Sequence, residues 1–453
     1  MSDTPAPRGP WTAASPKMRI EPPVSEPPKA DVMAVDFVGK RGALFWLALK
    51  TGFFTILTLG FYRFWMKTRL RRWYWSAIRP GGHPLEYVGD PMEKLLGFFI
   101  AVVILTFYIG IVNLLLMFVS FSVFNSSWLG YLASLVGVIP IWFYARYRAR
   151  RYVLARTRWR GVRFGLEKGA WGYAGRALLH WALTIVSLGL LWPRMTFLLE
   201  KYRTDRTFFG SAKLVQGGRW TMLYKAAAPF IIAVLASLGT ALWLLWFAPV
   251  LGDMPENFDV FLGQLDAVIE GRNAALGLND PMRLWLVPVC FSSLIYGAIH
   301  YRWVAKRLMA NHKSADGIAF ASALKGPRIT MIYVWGNFIA YLALVIGIGL
   351  MVFMAAAFFG YGILLSPDAA GSSPFSDWPR WLSLVLLGVM YLAVFLMWGV
   401  LHNTFVTFPI MRHMALTTTL PATVGIANIS QRARDELAQA EGFAEALDLG
   451  AAI

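Results

Sequence analysis

Three basic side chains interrupt the apolar blocks of this sequence and carry its most specific chemistry. Lys50 lies in block 43–65, and Arg176 and His180 lie in block 171–199. The spacing of Arg176 and His180 would place them on one face of a helix. Because an unpaired charge in hydrocarbon is costly, such residues can bind an anionic headgroup or substrate. The alternative is that their polar ends reach back to the membrane surface and bind nothing.

The same two blocks share a motif that can interrupt a helix. Block 43–65 contains ILTLGFYRFW, and block 171–199 contains TIVSLGLLWPRM. Each has a Leu-Gly pair, at Gly60 and Gly189, and the second block adds Pro193. Glycine and proline both weaken the hydrogen-bond ladder of a helix. Paired broken segments can mark a transporter site, whereas the alternative is a kinked helix that packs on its neighbours.

No enzyme signature accompanies these residues. The sequence has no Walker loop and no His-Glu-x-x-His, Gly-x-Ser-x-Gly or Cys-x-x-Cys motif. Its single cysteine, Cys290, excludes an intrachain disulfide. His300 and His402 can relay protons or bind a metal, but no carboxylate lies three or four residues from either. We therefore predict a protein that is not an enzyme and that has no cofactor and no metal site.

The composition is typical of a membrane protein. Of 453 residues, 57% are hydrophobic and 15% are charged, whereas soluble domains have about 45–50% and about 25%. Most of the apolar blocks reach the roughly 20 residues that a span needs. We therefore predict an all-α fold, a polytopic bundle of transmembrane helices with about eight apolar segments. The blocks are 43–65, 95–124, 128–145, 171–199, 226–251, 284–305, 333–365 and 381–411.

The formal charge of +18 is concentrated in the connections between blocks. Basic connections face the cytoplasm and attract anionic lipid headgroups. We therefore predict that both termini face the cytoplasm, that anionic lipid headgroups are partners of the basic connections, and that nucleic acid is not a partner. The basic connections are 66–94, 146–170, 200–225 and 306–332, and the predicted external ones are 252–283, 366–380 and the turn near Asn125.

Two blocks do not fit this charge distribution as spans. Blocks 43–65 and 171–199 both begin and end in basic sequence, so a single crossing would place one basic flank outside. Block 43–65 would be about 34 Å long as a helix, which is too short for two crossings. The sequence therefore predicts six clear spans plus two Leu-Gly segments. These two segments are either re-entrant or interfacial, or they are spans that violate the charge rule.

A short aromatic signature recurs between basic stretches and apolar blocks, and recurrence of this kind predicts internal repeats. The predicted membrane domain, 34–420, divides into repeats 34–163, 164–319 and 320–420. Before it lies a proline-rich cytoplasmic tail, 1–33, which we expect to be disordered, and after it lies an amphipathic cytoplasmic tail, 421–453. The signature reads DFVGK (36–40), EYVGD (86–90), RFGLE (163–167), TFFGS (207–211) and AFASA (319–323).

The segment DFVGKRGALFWLALKTGFFTILTLGFYRFWMKTRLRRWYW (36–75), followed by LEYVGD (85–90), resembles the YjgN-like family of bacterial multi-pass inner-membrane proteins of unknown function. The ending EGFAEALDLG (441–450) is also similar, so the resemblance covers about residues 36–450. In the second copy, SLG replaces the TLG of the family pattern. The resemblance implies a multi-pass inner-membrane protein and supplies no catalytic or ligand residue.

Two classes of function fit these observations. The first is a permease or channel for an anionic solute or lipid, favoured by the paired Leu-Gly segments, with a path near Lys50, Arg176 and His180. The second is a structural or accessory membrane protein without transport activity. It is favoured by the scarcity of carboxylates in the apolar blocks, because most ion-coupled carriers need them.

Overall fold

The computed structural model describes residues 32–124, 128–247, 281–359 and 380–432, together with Gly263. Most of both predicted tails lies outside the described residues, as do the turn near Asn125 and most of the two other predicted external connections. Of the predicted tails, Met33 begins the first strand, and 421–432 follow the last helix.

The helices account for most of the described chain, and several are joined without a break. A π-helical turn at Tyr108–Val112 links α3 to α4, and another at Asn403–Thr407 links α11 to α12. The helices are α1 Arg41–Leu57, α2 Arg63–Ala77, α3 Pro91–Phe107, α4 Asn113–Phe124, α5 Trp128–Ala155, α6 Ala170–Val186, α7 Trp192–Thr204, α8 Tyr224–Leu242, α9 Leu286–Ala310, α10 Gly326–Phe359, α11 Arg380–His402 and α12 Phe408–Leu416.

In the described part of the chain, five helical stretches are long and apolar enough to cross a membrane. Each has 26 to 33 residues, more than the roughly 20 that a span needs. The chain is therefore a helical membrane protein. The predicted six clear spans and eight apolar segments are not confirmed. The five stretches are Pro91–Val123, Trp220–Phe247, Met282–Ala310, Gly326–Met351 and Met390–Leu416.

The prediction of an all-α fold is wrong, because the basic connections form β-strands. Among the described residues, antiparallel strands build a six-stranded sheet, β2-β1-β11-β10-β9-β8, and a five-stranded sheet, β3-β4-β5-β6-β7. The strands are β1 Met33–Phe37, β2 Ile78–Pro80, β3 Leu85–Tyr87, β4 Thr157–Trp159, β5 Val162–Leu166, β6 Thr207–Phe209, β7 Ala212–Lys213, β8 Val215–Gln216, β9 Lys313–Ala315, β10 Ile318–Ser322 and β11 Thr418–Ala422.

The recurring aromatic signature is the sequence of these strands. Its copies fall in β1, β3, β5, β6 and β10. Aromatic and β-branched residues fit a pleated, half-buried surface, and the copies in β5 and β6 pair directly, with Phe164 opposite Phe209. The strands have two to five residues each. A hydropathy window long enough to detect a span averages over such short elements. Because charged residues flank the strands, their apolar residues produce no separate hydropathy peak.

The strands follow one another around both sheets in chain order. Among the described residues, each ladder joins strands that are consecutive along the chain, except that β1 pairs with β11 through Met33 and Leu420. The chain crosses between the sheets at residues 81–84, between β2 and β3, and at Leu214, between β7 and β8. The two sheets together therefore make a ring, here called the strand ring.

The helices leave the strand ring and return to it. Within the described residues, the strands before and after each helical segment are paired with each other: β1 with β2 around α1–α2, β3 with β4 around α3–α5, β5 with β6 around α6–α7, β8 with β9 around α8–α9, and β10 with β11 around α10–α12. Because each segment starts and ends at paired strands, the four basic connections lie at one end of the helices.

Helix packing repeats the order of the strands. The α1–α2 pair packs between α11 and α3, and the α6–α7 pair packs between α5 and the 3-10 turn Trp220–Leu223 that precedes α8. Helix α9 packs on α8 and on α10, which in turn packs on α11. Aromatic residues contribute to this packing, for example Trp73 beside Phe408 and Tyr147 beside Tyr202.

Candidate functional site

The structure places Gly60 in a reversal of the chain between α1 and α2. The Gly60 N–H donates to the carbonyl of Thr55 at 2.7 Å, and the Leu59 N–H donates to that of Ile56 at 2.9 Å. These two bonds define a Schellman motif, which ends a helix with a left-handed residue. Leu59 has a φ of 49° and Gly60 a φ of 96°. The packing of α2 against α1 makes this pair a helical hairpin.

Gly189 lies in the same geometry between α6 and α7. Its N–H donates to the carbonyl of Thr184 at 2.8 Å, and the Leu188 N–H donates to that of Ile185 at 2.9 Å. The φ angles are 49° at Leu188 and 88° at Gly189. Pro193 is buried in the first turn of α7, where its missing N–H has no helical acceptor to lose. Pro193 therefore starts α7.

Both hairpins end in an exposed apolar turn. The side chain of Leu59 is 78% exposed and that of Leu188 is 93% exposed. A leucine at positive φ is strained, and a fully exposed one gains no burial in water. In hydrocarbon the same side chain is stabilised by removal from water. The leucines at both tips therefore fit a turn that enters the membrane.

The hairpins reach only part of the way along the neighbouring spans. Phe61, at the first tip, packs against Phe99 in the third turn of α3. Trp192, just after the second tip, packs against Phe230 near the start of α8 and against Tyr301 in the second half of α9. Both tips therefore lie beside the parts of the neighbouring spans nearer the strand ring, and both arms of each hairpin connect to the strand ring.

The predicted substrate-binding residues do not converge. Lys50 is exposed on α1, which packs against α11. Arg176 is exposed on α6, donates to the Gly172 carbonyl at 3.1 Å and lies over the Tyr202 ring at 4.6 Å. His180 is half-buried one turn further along α6. Lys50 thus lies on one hairpin and Arg176 and His180 lie on the other, and their binding role stays a prediction.

The structure instead assembles basic side chains around Glu200, near the end of α7. The Glu200 carboxylate lies 2.6 Å from Arg203 Nη2, 2.8 Å from Lys313 Nζ and 3.6 Å from Arg150 Nη1. These partners come from α7, β9 and α5. The Glu200 side chain is 12% exposed. We call this group, together with the basic residues described next, the Glu200 cluster.

Further cations surround this carboxylate. Arg146 of α5 lies within electrostatic range of Arg203, Arg302 and Glu200, and Lys306 of α9 lies within range of the same three residues. Both Arg302 and Lys306 are exposed. In the described part of the chain, the cluster thus contains six basic side chains and the carboxylate of Glu200, and Arg302 belongs to it through Arg146 and Lys306. The six are Arg146, Arg150, Arg203, Arg302, Lys306 and Lys313.

The electrostatics of Glu200 follow from this excess of positive charge. Desolvation by burial favours the neutral acid, but the charges of Lys313, Arg203 and Arg150 outweigh it and hold the pKa of Glu200 well below its usual range. The Arg203 Nε is buried and has no hydrogen-bond partner among the described residues. The cluster therefore keeps unused donor capacity and net positive charge after Glu200 is paired, and this arrangement can hold an anion.

Sequence analysis did not single out Glu200, although a signal was present. The run LLEKYRTDR (198–206) places Glu200 directly between an apolar block and a basic connection. An acid at such a boundary is a candidate partner for nearby arginines. The contribution of Lys313 was not visible, because more than a hundred residues separate it from Glu200.

A second ion pair is more exposed and contains a single cation, Arg156. Glu93, in the first turn of α3, contacts Arg156 at 2.5 Å and accepts a hydrogen bond from the Tyr152 hydroxyl at 2.9 Å. The pair connects the start of α3 to the end of α5.

Among the described residues, no group of three or more His, Cys, Asp or Glu side chains is placed to hold a metal ion.

Fold and site together define a polytopic helical membrane protein with a basic strand ring at one end of its helices. The chain belongs to the family described as bacterial protein of unknown function (DUF898), whose family model matches residues 32–356. The match ends within α10 and does not include the C-terminal sequence that also resembles the family. No curated protein and no solved structure matches the chain.

Proposed function

We propose that this protein binds the headgroups of anionic phospholipids in the leaflet next to its strand ring, as a structural or accessory component of the bacterial inner membrane. The observation that carries the proposal is the excess of cations around Glu200. A phosphate group suits these residues, because arginine guanidinium groups offer paired donors to phosphate oxygens.

The depth of the cations supports a headgroup as the ligand. Arg302 and Lys306 precede the end of α9 at Ala310, and Arg146 precedes the end of α5 at Ala155, by roughly one to two and a half turns. The tip of the α6–α7 hairpin lies beside the same part of α9, through Trp192 and Tyr301. The cluster and the hairpin therefore occupy the depth at which a lipid headgroup meets its acyl chains.

The orientation follows from charge. All four basic connections lie at one end of the helices, and short basic connections face the cytoplasm. We infer a cytoplasmic strand ring, with the N-terminus and the C-terminus on the same side. The matching hydrogen bonds at Gly60 and Gly189 also support an origin of the two hairpins by internal duplication.

A permease for an anionic solute or lipid is the second candidate. The observation that favours it is the limited reach of both hairpins, which leaves the far leaflet beside α3 and α8 open to lipid. A headgroup could move along α6 from the tip at Leu188 toward Glu200, past His180 and Arg176.

Lipid retention and lipid transfer distinguish the two candidates. The full chain is placed in nanodiscs of phosphatidylglycerol and phosphatidylethanolamine, and the lipids that stay bound are counted by native mass spectrometry. We expect retention of phosphatidylglycerol, reduced at least fivefold in an Arg302→Gln, Lys306→Gln double variant. Both side chains are exposed, so folding should persist. Lys225→Gln, an exposed lysine at the start of α8, is the matched control.

The same proteins in liposomes carry fluorescent phosphatidylglycerol, and its movement between leaflets is measured by chemical quenching. Retention without movement supports the accessory role, and protein-dependent movement that the double variant loses supports the permease. Equal retention of both lipids, or equal retention by the double variant and wild type, would contradict headgroup binding at the cluster.

A further inference from the structure

A cleft of about 390 Å³ lies between the two sheets of the strand ring. One wall comes from the five-stranded sheet, with Trp159, Val162 and Phe209, and the other carries Met33 of the six-stranded sheet. The β4–β5 turn borders the cleft, and those strands lead back to α5 and α6. The cleft therefore opens at the rim of the strand ring that is turned away from the helices. Its volume is within the range of about 300–1,000 Å³ that is typical of small-molecule sites.

The segment after β11 closes one side of this cleft. Residues 423–432, here called the C-terminal strap, cross from the six-stranded sheet to the β6–β7 turn. The Ser211 N–H donates to the Ser430 carbonyl at 2.9 Å, and the Arg163 N–H donates to Gln431 Oε1 at 3.0 Å. At Gly425 an added Cβ would collide with the Asp316 carbonyl, so the strap needs a glycine there. The strap is thus fixed to turns of both sheets.

Most of the residues that line the cleft have apolar side chains, and the two aromatic ones are held in place by packing. Trp159 is 5% exposed and Phe209 is 6% exposed, and their rings lie 5.7 Å apart. The Trp159 N–H already donates to the His83 carbonyl at 3.3 Å, so its ring offers an apolar surface. Ile426 of the strap also lines the cleft and packs on the core of the six-stranded sheet.

A single cation stands at the mouth of the cleft among its described lining residues. Arg160 is exposed, and its guanidinium lies 5.8 Å from the centre of the Trp159 ring. Arg160 and Gly161 form the β4–β5 turn, with φ angles of 51° and 80°. Turns with two positive φ angles favour Asn-Gly or Asp-Gly. An arginine at the strained first position brings a positive charge to the cleft at the cost of the preferred turn residue.

We infer that this cleft is a binding site for an amphipathic anion, a molecule with an apolar chain and a carboxylate head. The chain would lie between Trp159, Phe209 and Ile426, and the carboxylate would pair with Arg160. The site shares no residue with the Glu200 cluster. It is open to the aqueous side of the strand ring, so it would sense soluble fatty acid and not the headgroups of the bilayer.

Alkylation of a cysteine in the cleft tests the inference. The full chain in nanodiscs carries Cys290→Ser and Ala427→Cys, since Ala427 lines the cleft. Decanoate is the probe, and decanol is its uncharged counterpart. We expect decanoate to slow maleimide alkylation at this position at least fivefold and decanol to slow it less than twofold. Adding Arg160→Gln should remove the effect of decanoate.

Two controls keep the test decisive. Ser314→Cys lies on an exposed position of β9 outside the cleft, and decanoate should not change its alkylation. If Ala427→Cys disturbs the strap, the melting temperature of the chain without this substitution provides a second test. Decanoate should raise this melting temperature in the wild type and should not raise it in an Arg160→Gln variant. Equal protection by decanol, protection that survives Arg160→Gln, or equal protection at position 314 would overturn the inference.

Discussion

The hydroxyl of Thr55 donates to the sulfur of Met66 across the α1–α2 hairpin, at 3.9 Å. Thr184 and Met195 make the same contact across α6–α7, at 3.8 Å. Both threonines are buried, and each hydroxyl shares its one proton between the methionine sulfur and a closer carbonyl in the preceding turn of its own helix. The two hairpins are therefore equivalent in their turns and also in the contact that holds their arms together.

The turn glycines should resist substitution although nothing crowds them. An added Cβ at Gly60 or Gly189 meets no atom within 4 Å, but φ is 96° and 88°. Alanine is strained at positive φ by about 1 kcal/mol. We expect Gly60→Ala and Gly189→Ala each to lower the melting temperature of the detergent-solubilised protein. Gly175→Ala is the control, because Gly175 lies in open space within α6.

At that control position alanine should leave stability unchanged or raise it, since alanine is the better helix former. A Gly60→Ala variant as stable as wild type would show that the turn can adopt another conformation. Equal losses at positions 60 and 189 would support the equivalence of the hairpins.

The sequence predicted the helices because apolar blocks of span length are a strong and local signal. It also predicted an interruption at Leu59-Gly60 and Leu188-Gly189, where the structure has full reversals. The charge argument left a re-entrant segment open as one alternative, and a hairpin whose Phe61 packs against Phe99 is compatible with it. The signal for this alternative was the charge distribution, because each of the two blocks has basic sequence on both sides.

The strand ring and the Glu200 cluster could not be predicted in the same way. Strands of two to five residues are stable only when they pair with other strands. The pairing of Met33 with Leu420 joins opposite ends of the described chain. The aromatic signature was visible, but it indicated a repeat and not a strand. The cluster depends on Lys313 reaching Glu200 from β9 of the six-stranded sheet, a contact that no local pattern contains.

The strand ring should be accessible from the cytoplasm only. Ser314 is exposed on β9, and a cysteine there in a Cys290→Ser background reports the side of the membrane. In spheroplasts an impermeant maleimide should leave the Ser314→Cys variant unlabelled until the membrane is opened, because the basic connections are retained inside. Labelling of intact spheroplasts would reverse the proposed orientation of every helical segment at once, since all of them return to the same ring.

Removing the carboxylate at the centre of the cluster should be costly. In a Glu200→Gln variant, Arg203, Lys313 and Arg150 lose their common partner, and breaking a buried ion pair from one side costs about 3–5 kcal/mol. We expect a large fall in melting temperature and weaker packing of α7 on β9. Glu86→Gln, at an exposed position of β3, is the control and should have little effect.

The pH dependence of stability should carry the signature of Glu200. Lys313, Arg203 and Arg150 hold its pKa well below the usual range, against the opposing effect of burial. The stability it contributes is therefore fully present above the unfolded-state pKa of about 4.3 and is lost as pH falls through the lower folded-state value. The difference in melting temperature between wild type and Glu200→Gln should stay constant from about pH 7 to pH 5 and shrink below about pH 4. A difference that shrinks already near neutral pH would contradict this assignment.

Lys50, Arg176 and His180 should not behave as one binding site. Arg176 stacks on Tyr202, two residues from Glu200 along α7, whereas Lys50 lies on the other hairpin. We expect Arg176→Met to lower phosphatidylglycerol retention in nanodiscs by roughly two- to fivefold, a loss of about 0.4–1 kcal/mol, because it removes a cation near the cluster. Lys50→Met should leave retention within error of wild type, and the double variant should match Arg176→Met alone. Equal losses of phosphatidylglycerol retention in the two single variants would contradict this prediction. They would indicate a binding path shared by both hairpins and would favour the permease.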